Sequence, residues 1–139
     1  MFRKYVLAAL CAPLMSFAVL ADSATPQRET ITPVFRHEIS NIPGKSLLSV
    51  VVNYAPGASS VSHSHAASAF IYVYVLTGEI RSQVGDAPPK VYRAGESFFE
   101  EPGEKHRVSE NASTSNPASL LTTFVVDSNE TALTTPDKQ

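Results

Sequence analysis

The chain has 139 residues with 11 basic and 13 acidic side chains, four histidines and one cysteine, and no basic stretch stands out. Nucleic acid and anionic membrane surfaces are therefore poor partners, since both call for clustered positive charge. A lone cysteine can form neither an internal disulfide nor a thiolate cluster, so any metal must be held by nitrogen or oxygen.

Residues 1–21 read as a cleaved secretory signal peptide: Arg3 and Lys4 precede an apolar run from Tyr5 to Leu20 that ends on the small Ala21. The run is short for a membrane span of about 20 residues and is interrupted by Pro13. Leu10, ahead of Cys11, occupies the place where lipoprotein processing wants a small residue. A periplasmic or secreted protein is expected, with no membrane attachment after cleavage. Removal of the leader takes Cys11 with it and leaves about 120 residues, enough for one modest core. Within that length, 22–32 is polar and reads as a flexible arm, 33–127 as the folded domain, and 128–139 as a polar tail on the surface or disordered.

Inside the domain, Val34 to Ile39 reads as a short strand and Leu47 to Tyr54 as a stronger one that stops at Pro56-Gly57. Both faces of the second are largely apolar, which suits a strand buried between two layers. Such faces are open to two uses, pairing with a second copy in a homodimer or packing against the chain's own terminal strands. Phe70 to Leu76 and Ile80 to Val84 form a hairpin across Thr77-Gly78. Lys90 to Tyr92, Ser97 to Phe99, His106 to Ser109 and Leu120 to Val126 follow, separated by turn signals roughly every ten residues. No segment has helical periodicity, so the expected class is all-β, a sandwich or flattened barrel.

The chemistry concentrates on histidine. His63 and His65 are two apart, and on a strand residues two apart share a face, so both rings can aim at one ion. His106 closes the run Pro102, Gly103, Glu104, Lys105, His106. Clustered histidines at ligand spacing favour a metal where cysteine is absent. The remaining histidine, His37, lies between Arg36 and Glu38, where an exposed or locally paired role is expected.

The stretch from Gly57 through His63 and His65 to Gly78 resembles the first motif of the cupin family, and Gly95 through Pro102, Gly103 and His106 to Asn111 resembles the second. Two departures are small: Gly95 and Asn111 each stand one residue further from their neighbouring motif positions than is usual. The resemblance implies a double-stranded β-helix, a jelly-roll barrel of two packed sheets, in which His63, His65 and His106 converge on a divalent metal (iron, manganese, zinc, nickel or copper). A third departure bears on chemistry. The glutamate that many cupins add as a fourth ligand falls seven residues before Gly78, at Ile71, which cannot coordinate. Three neutral imidazoles then leave the ion's charge uncompensated and positions open to water or substrate, a stronger Lewis acid. Glu100 and Glu101 are candidates for a substitute ligand, a partner to a ligand, or a general base, set against a plain solvated turn.

The reading is thus an exported cupin that holds a divalent metal and acts on a small molecule, by dioxygenase-like chemistry or metal-assisted hydrolysis or isomerisation. The alternative is a non-catalytic module that binds or senses a small molecule or the metal. Tyr72 and Tyr74 should lie on the strand face opposite the histidines, serving either inter-sheet packing or a dimer surface, and Phe98 and Phe99 are expected in the core. Asn111-Ala112-Ser113 and Asn129-Glu130-Thr131 match glycosylation sequons.

Overall fold

A computed structural model describes residues 29–138. The predicted leader and most of the predicted arm lie outside the described residues. Ten strands follow in order: β1 (Glu29–Glu38), β2 (Lys45–Tyr54), β3 (His63–His65), β4 (Phe70–Thr77), β5 (Glu79–Val84), β6 (Lys90–Arg93), β7 (Ser97–Glu100), β8 (Lys105–Asn111), β9 (Ala118–Asp127) and β10 (Thr134–Pro136). They form two five-stranded sheets, β1-β2-β9-β4-β7 and β10-β3-β8-β5-β6, with every paired neighbour antiparallel. This is the expected all-β double-stranded β-helix.

Period-2 patterning explains the layering. On β4, Ile71, Val73 and Val75 are buried while Phe70, Tyr72, Tyr74 and Leu76 face outward. On β9, Leu120, Phe124 and Val126 turn inward to meet Leu48, Val50 and Val52 of β2. The first sheet thus presents an apolar inner wall. The second differs, since its inward side chains include His63, His65, Ser82, His106 and Ser109. A polar wall facing an apolar one is what sets a site between them.

One turn is constrained by close approach, and one strand by a bulge. Gly78 has φ +72°, and a Cβ there would lie 2.6 Å from the Pro117 carbonyl oxygen, so only glycine closes the β4–β5 hairpin. At Arg107 the pairing of β5 with β8 slips: Gln83 opposes Val108 but Val84 opposes His106. This bulge inverts the alternation, so His106 and Ser109, three apart, both face inward. Arg107 itself is exposed and ties the bulge to the next turn through Nε–H to the Gly85 carbonyl (2.8 Å) and a pair with Asp86 (2.9 Å).

The structure differs from expectation at several points. β1 begins at Glu29, inside the segment read as a flexible arm, because Thr30, Ile31 and Thr32 are good strand formers that pair with β2. The polar tail contains β10, which pairs residue for residue with β3. Tyr72 and Tyr74 do not pack between sheets; they lie on the outer surface beside Phe70, which stacks on Phe99 at 5.9 Å. Phe98 is core, but Phe99, one residue on, must face the other way and is exposed. Asn111 is no exposed sequon: it is buried, its Nδ2–H group donates to the carbonyls of Ala55 (3.1 Å) and Asn116 (2.7 Å), and its Oδ1 accepts from Ser113 N–H (2.9 Å). His37 is exposed on β1, far along the chain from any ligand position.

Candidate metal centre

The three predicted ligands meet. His63 and His106 are directly paired across β3 and β8, and one ring nitrogen of each of His63, His65 and His106 lies within 4.8 Å of the others. All three are buried.

Their hydrogen bonds fix the tautomers of two. His63 Nδ1 meets the Val61 carbonyl at 2.7 Å, and His65 Nδ1 meets the Leu133 carbonyl at 3.2 Å. A carbonyl only accepts, so each Nδ1 carries the hydrogen, and in the neutral ring each Nε2 is left with a lone pair. Those two Nε2 atoms face each other at 3.2 Å. Two lone pairs so opposed repel unless a cation or a proton stands between them. Nitrogen ligands held about 2.1 Å from an ion are themselves about 3.0–3.4 Å apart in octahedral or tetrahedral arrangements, which brackets the observed separation. His106 is held at both ends, by Ser82 Oγ at Nε2 (2.9 Å) and by Glu100 Oε1 at Nδ1 (3.2 Å).

Glu100 was only one of two acidic candidates in the sequence, and the solvated-turn reading holds for its neighbour alone. Glu101 is exposed at the turn. Glu100 is 1% exposed, with Oε2 3.3 Å from His65 Nε2 yet without a hydrogen-bond partner among the described residues. Burial by itself would drive this carboxyl upward, but the neighbouring His106, through hydrogen bonding and charge, outweighs it and holds it down to about 2, so it is an anion. For His63 the leading influence is also burial, which lowers its pKa and keeps the ring in the neutral, metal-binding form. An orphaned carboxylate oxygen and two convergent lone pairs are the donor set a divalent cation requires. The residues fit a metal.

The histidines and Glu100 border a cavity of about 400 Å³. Its apolar wall includes Val50, Val73, Phe98, Leu120 and Phe124, and Phe124 packs edge-on against the His65 ring at 5.7 Å. Among the described residues, no lysine or arginine lines it. A second polar group there is a hydroxyl chain: the Tyr54 hydroxyl lies 2.6 Å from Ser60 Oγ and 2.9 Å from Ser109 Oγ, and Ser60 donates onward to Glu29. Burial pushes the Tyr54 phenol up to about 12, only partly offset by its bonds to Ser109 and Ser60, so it stays protonated. Nothing in the sequence placed Tyr54, Ser60 or Ser109 at the site; only the inward parity of Tyr54 with Val50 and Val52 on β2 could have pointed to one of them.

Fold and centre together define a double-stranded β-helix barrel with three histidines positioned to bind a metal. The cupin domain family model matches residues 50–124, more than half of the chain, and the protein belongs to the cupin family.

Among solved structures, a double-stranded β-helix protein from Klebsiella pneumoniae is 19% identical, with 82% of this chain and 89% of that one covered and a TM-score of 0.62. Oxalate oxidase in complex with the substrate analogue glycolate is 23% identical, with 74% of this chain covered and a TM-score of 0.58. The match spans only 53% of the oxalate oxidase chain. A structure of DMSP lyases is 17% identical, covering 66% of this chain and 44% of that one, with a TM-score of 0.55. These likenesses are to the fold. Among curated proteins no significant relative is found.

Proposed function

We propose that the protein is an exported metalloenzyme, acting in the periplasm or outside the cell on a small, largely apolar molecule. The observation that carries this is the opposed pair of His63 and His65 Nε2 atoms, 3.2 Å apart at the wall of an apolar cavity. A first-row divalent ion such as iron, manganese, zinc, nickel or copper suits imidazole ligands and, when bound, supplies a Lewis acid for a substrate oxygen, dioxygen or water. The chain's own residues do the rest. Val61 and Leu133 carbonyls hold His63 and His65 in the ligating tautomer. Phe98, Phe124 and the aliphatic side chains exclude water and fit an apolar body. The protonated Tyr54 hydroxyl and Ser109 offer hydrogen bonds to a polar group at a second place in the cavity. With no lysine or arginine among the described lining residues, charge on a ligand is met at the metal end, which favours neutral molecules or those with one metal-binding group.

The relatives allow more than one reaction, since oxalate oxidase and DMSP lyases share the fold. The testing experiment loads metal-stripped protein separately with each of the five metals and assays turnover on small carboxylic acids, thiols, diketones and phenolic acids. Product formed with one metal and lost on chelation supports an enzyme. Tight ligand binding with no product under any metal supports the binding module instead.

A further inference from the structure

We propose that Glu100 is itself a metal ligand, fourth to His63, His65 and His106, supplied from β7 in place of a carboxylate on β4; this rests on the metal-site reading above. Ile71 of β4 and Glu100 of β7 are directly paired across the first sheet, and both are buried, at 0% and 1% exposure. Side chains so paired spring from Cβ atoms roughly 5 Å apart on the same face. A carboxylate at either position reaches the same part of the cavity. The chain carries the aliphatic group on one strand and the acid on the other.

Three further observations point Glu100 at the ion rather than at a purely orienting role. Its two oxygens are used differently: Oε1 meets His106 Nδ1, while Oε2 has no hydrogen-bond partner among the described residues and lies 3.3 Å from His65 Nε2. A carboxylate that only oriented His106 would have no reason to bury its second oxygen among acceptors. Among the described residues, the cavity lining also holds no lysine or arginine to balance an anion excluded from water. Finally, charge closes in both directions, because a divalent ion on three neutral imidazoles is left with two uncompensated charges that one carboxylate halves.

A double-mutant cycle on the full mature chain tests this, with zinc and cobalt(II) affinities read by chelator competition and folding followed by circular dichroism. Glu100→Gln keeps the shape and an acceptor for His106, and is expected to weaken binding by more than the roughly 100-fold upper range for residues that act through a ligand. Ile71→Glu alone is expected to add little, because the position is already served. Glu100→Ile alone is expected to lose at least as much as Glu100→Gln, and exchange of the pair, Ile71→Glu with Glu100→Ile, to return affinity to within about tenfold of the wild type. The cobalt(II) absorption spectrum should change in Glu100→Gln and revert in the exchanged variant. Wild-type affinity in Glu100→Gln, or Ile71→Glu strengthening binding equally in both backgrounds, overturns the proposal, as does an exchanged variant that fails to regain metal even where Glu100→Gln does not fold. His63→Ala separates the two levels: metal lost there but kept in Glu100→Gln refutes this proposal alone, whereas metal kept at full affinity in His63→Ala refutes the centre.

Discussion

Ending the chain at Thr131 removes β10 and isolates what that strand does for the site. Three register pairs to β3 disappear, Thr134 with His65, Thr135 with Ser64 and Pro136 with His63. So do the Leu133 carbonyl that fixes the His65 tautomer at 3.2 Å and the Asp137 carboxylate that ties Ser62 (2.6 Å) and Lys105 (3.0 Å) across β3 and β8. Loss of a group that orients a metal-binding histidine costs about 10–100-fold in affinity, or about 1.4–2.7 kcal/mol. Leu133 packs half-buried on the core, so stability should also fall, by about 1–3 kcal/mol. The barrel should nonetheless fold, since its core comes from β2, β4 and β9. Cobalt(II) titration against a competing chelator, with urea unfolding of the same samples, measures both quantities. A truncated chain that folds and binds metal as tightly as the full one would refute the reasoning.

Two further outcomes follow from the geometry. Burial lowers the His63 pKa, so in metal-stripped protein the unfolded chain binds the His63 proton first as pH falls; His63 contributes stability above about pH 6.5 that is lost below it. Urea midpoints at pH 7.5 and 5.5 should therefore diverge more in the wild type than in His63→Gln, and equal divergence contradicts the assignment. Asn111→Ala removes three part-buried hydrogen bonds, to the Ala55 and Asn116 carbonyls and from the Ser113 N–H, and should cost about 1–3 kcal/mol in the same assay with metal affinity little changed; an unchanged midpoint would show that the side chain is not structural.

Much of the site was legible because strand parity is a strict rule. His63 and His65 had to share a face, and their convergence with His106 followed from the likeness of the two motifs. Glu100 was harder. It shares its face with the buried Phe98, but Phe98 and Phe99 are both aromatic, so the alternation on β7 does not announce which side is inside. The bulge at Arg107 has no sequence signal, and without it the parity of β8 would send His106 outward while Ser109 and Asn111 face in. β10 was missed for a different reason: Thr134, Thr135 and Pro136 are exposed, and only backbone pairing with β3 makes them a strand. The outer aromatics were misjudged because bulk alone does not bury a side chain, and Tyr72, Tyr74 and Phe99 fall on the outward parity.

The central claim is that one divalent ion is held by His63, His65 and His106. Its most direct test is elemental analysis by mass spectrometry of protein purified without an affinity tag, beside the variants His63→Ala, His65→Ala and His106→Ala. The account predicts one equivalent of a single divalent metal per wild-type chain and a loss of most of it in each variant; the same metal content in all four proteins, or none in the wild type after reconstitution, would contradict it.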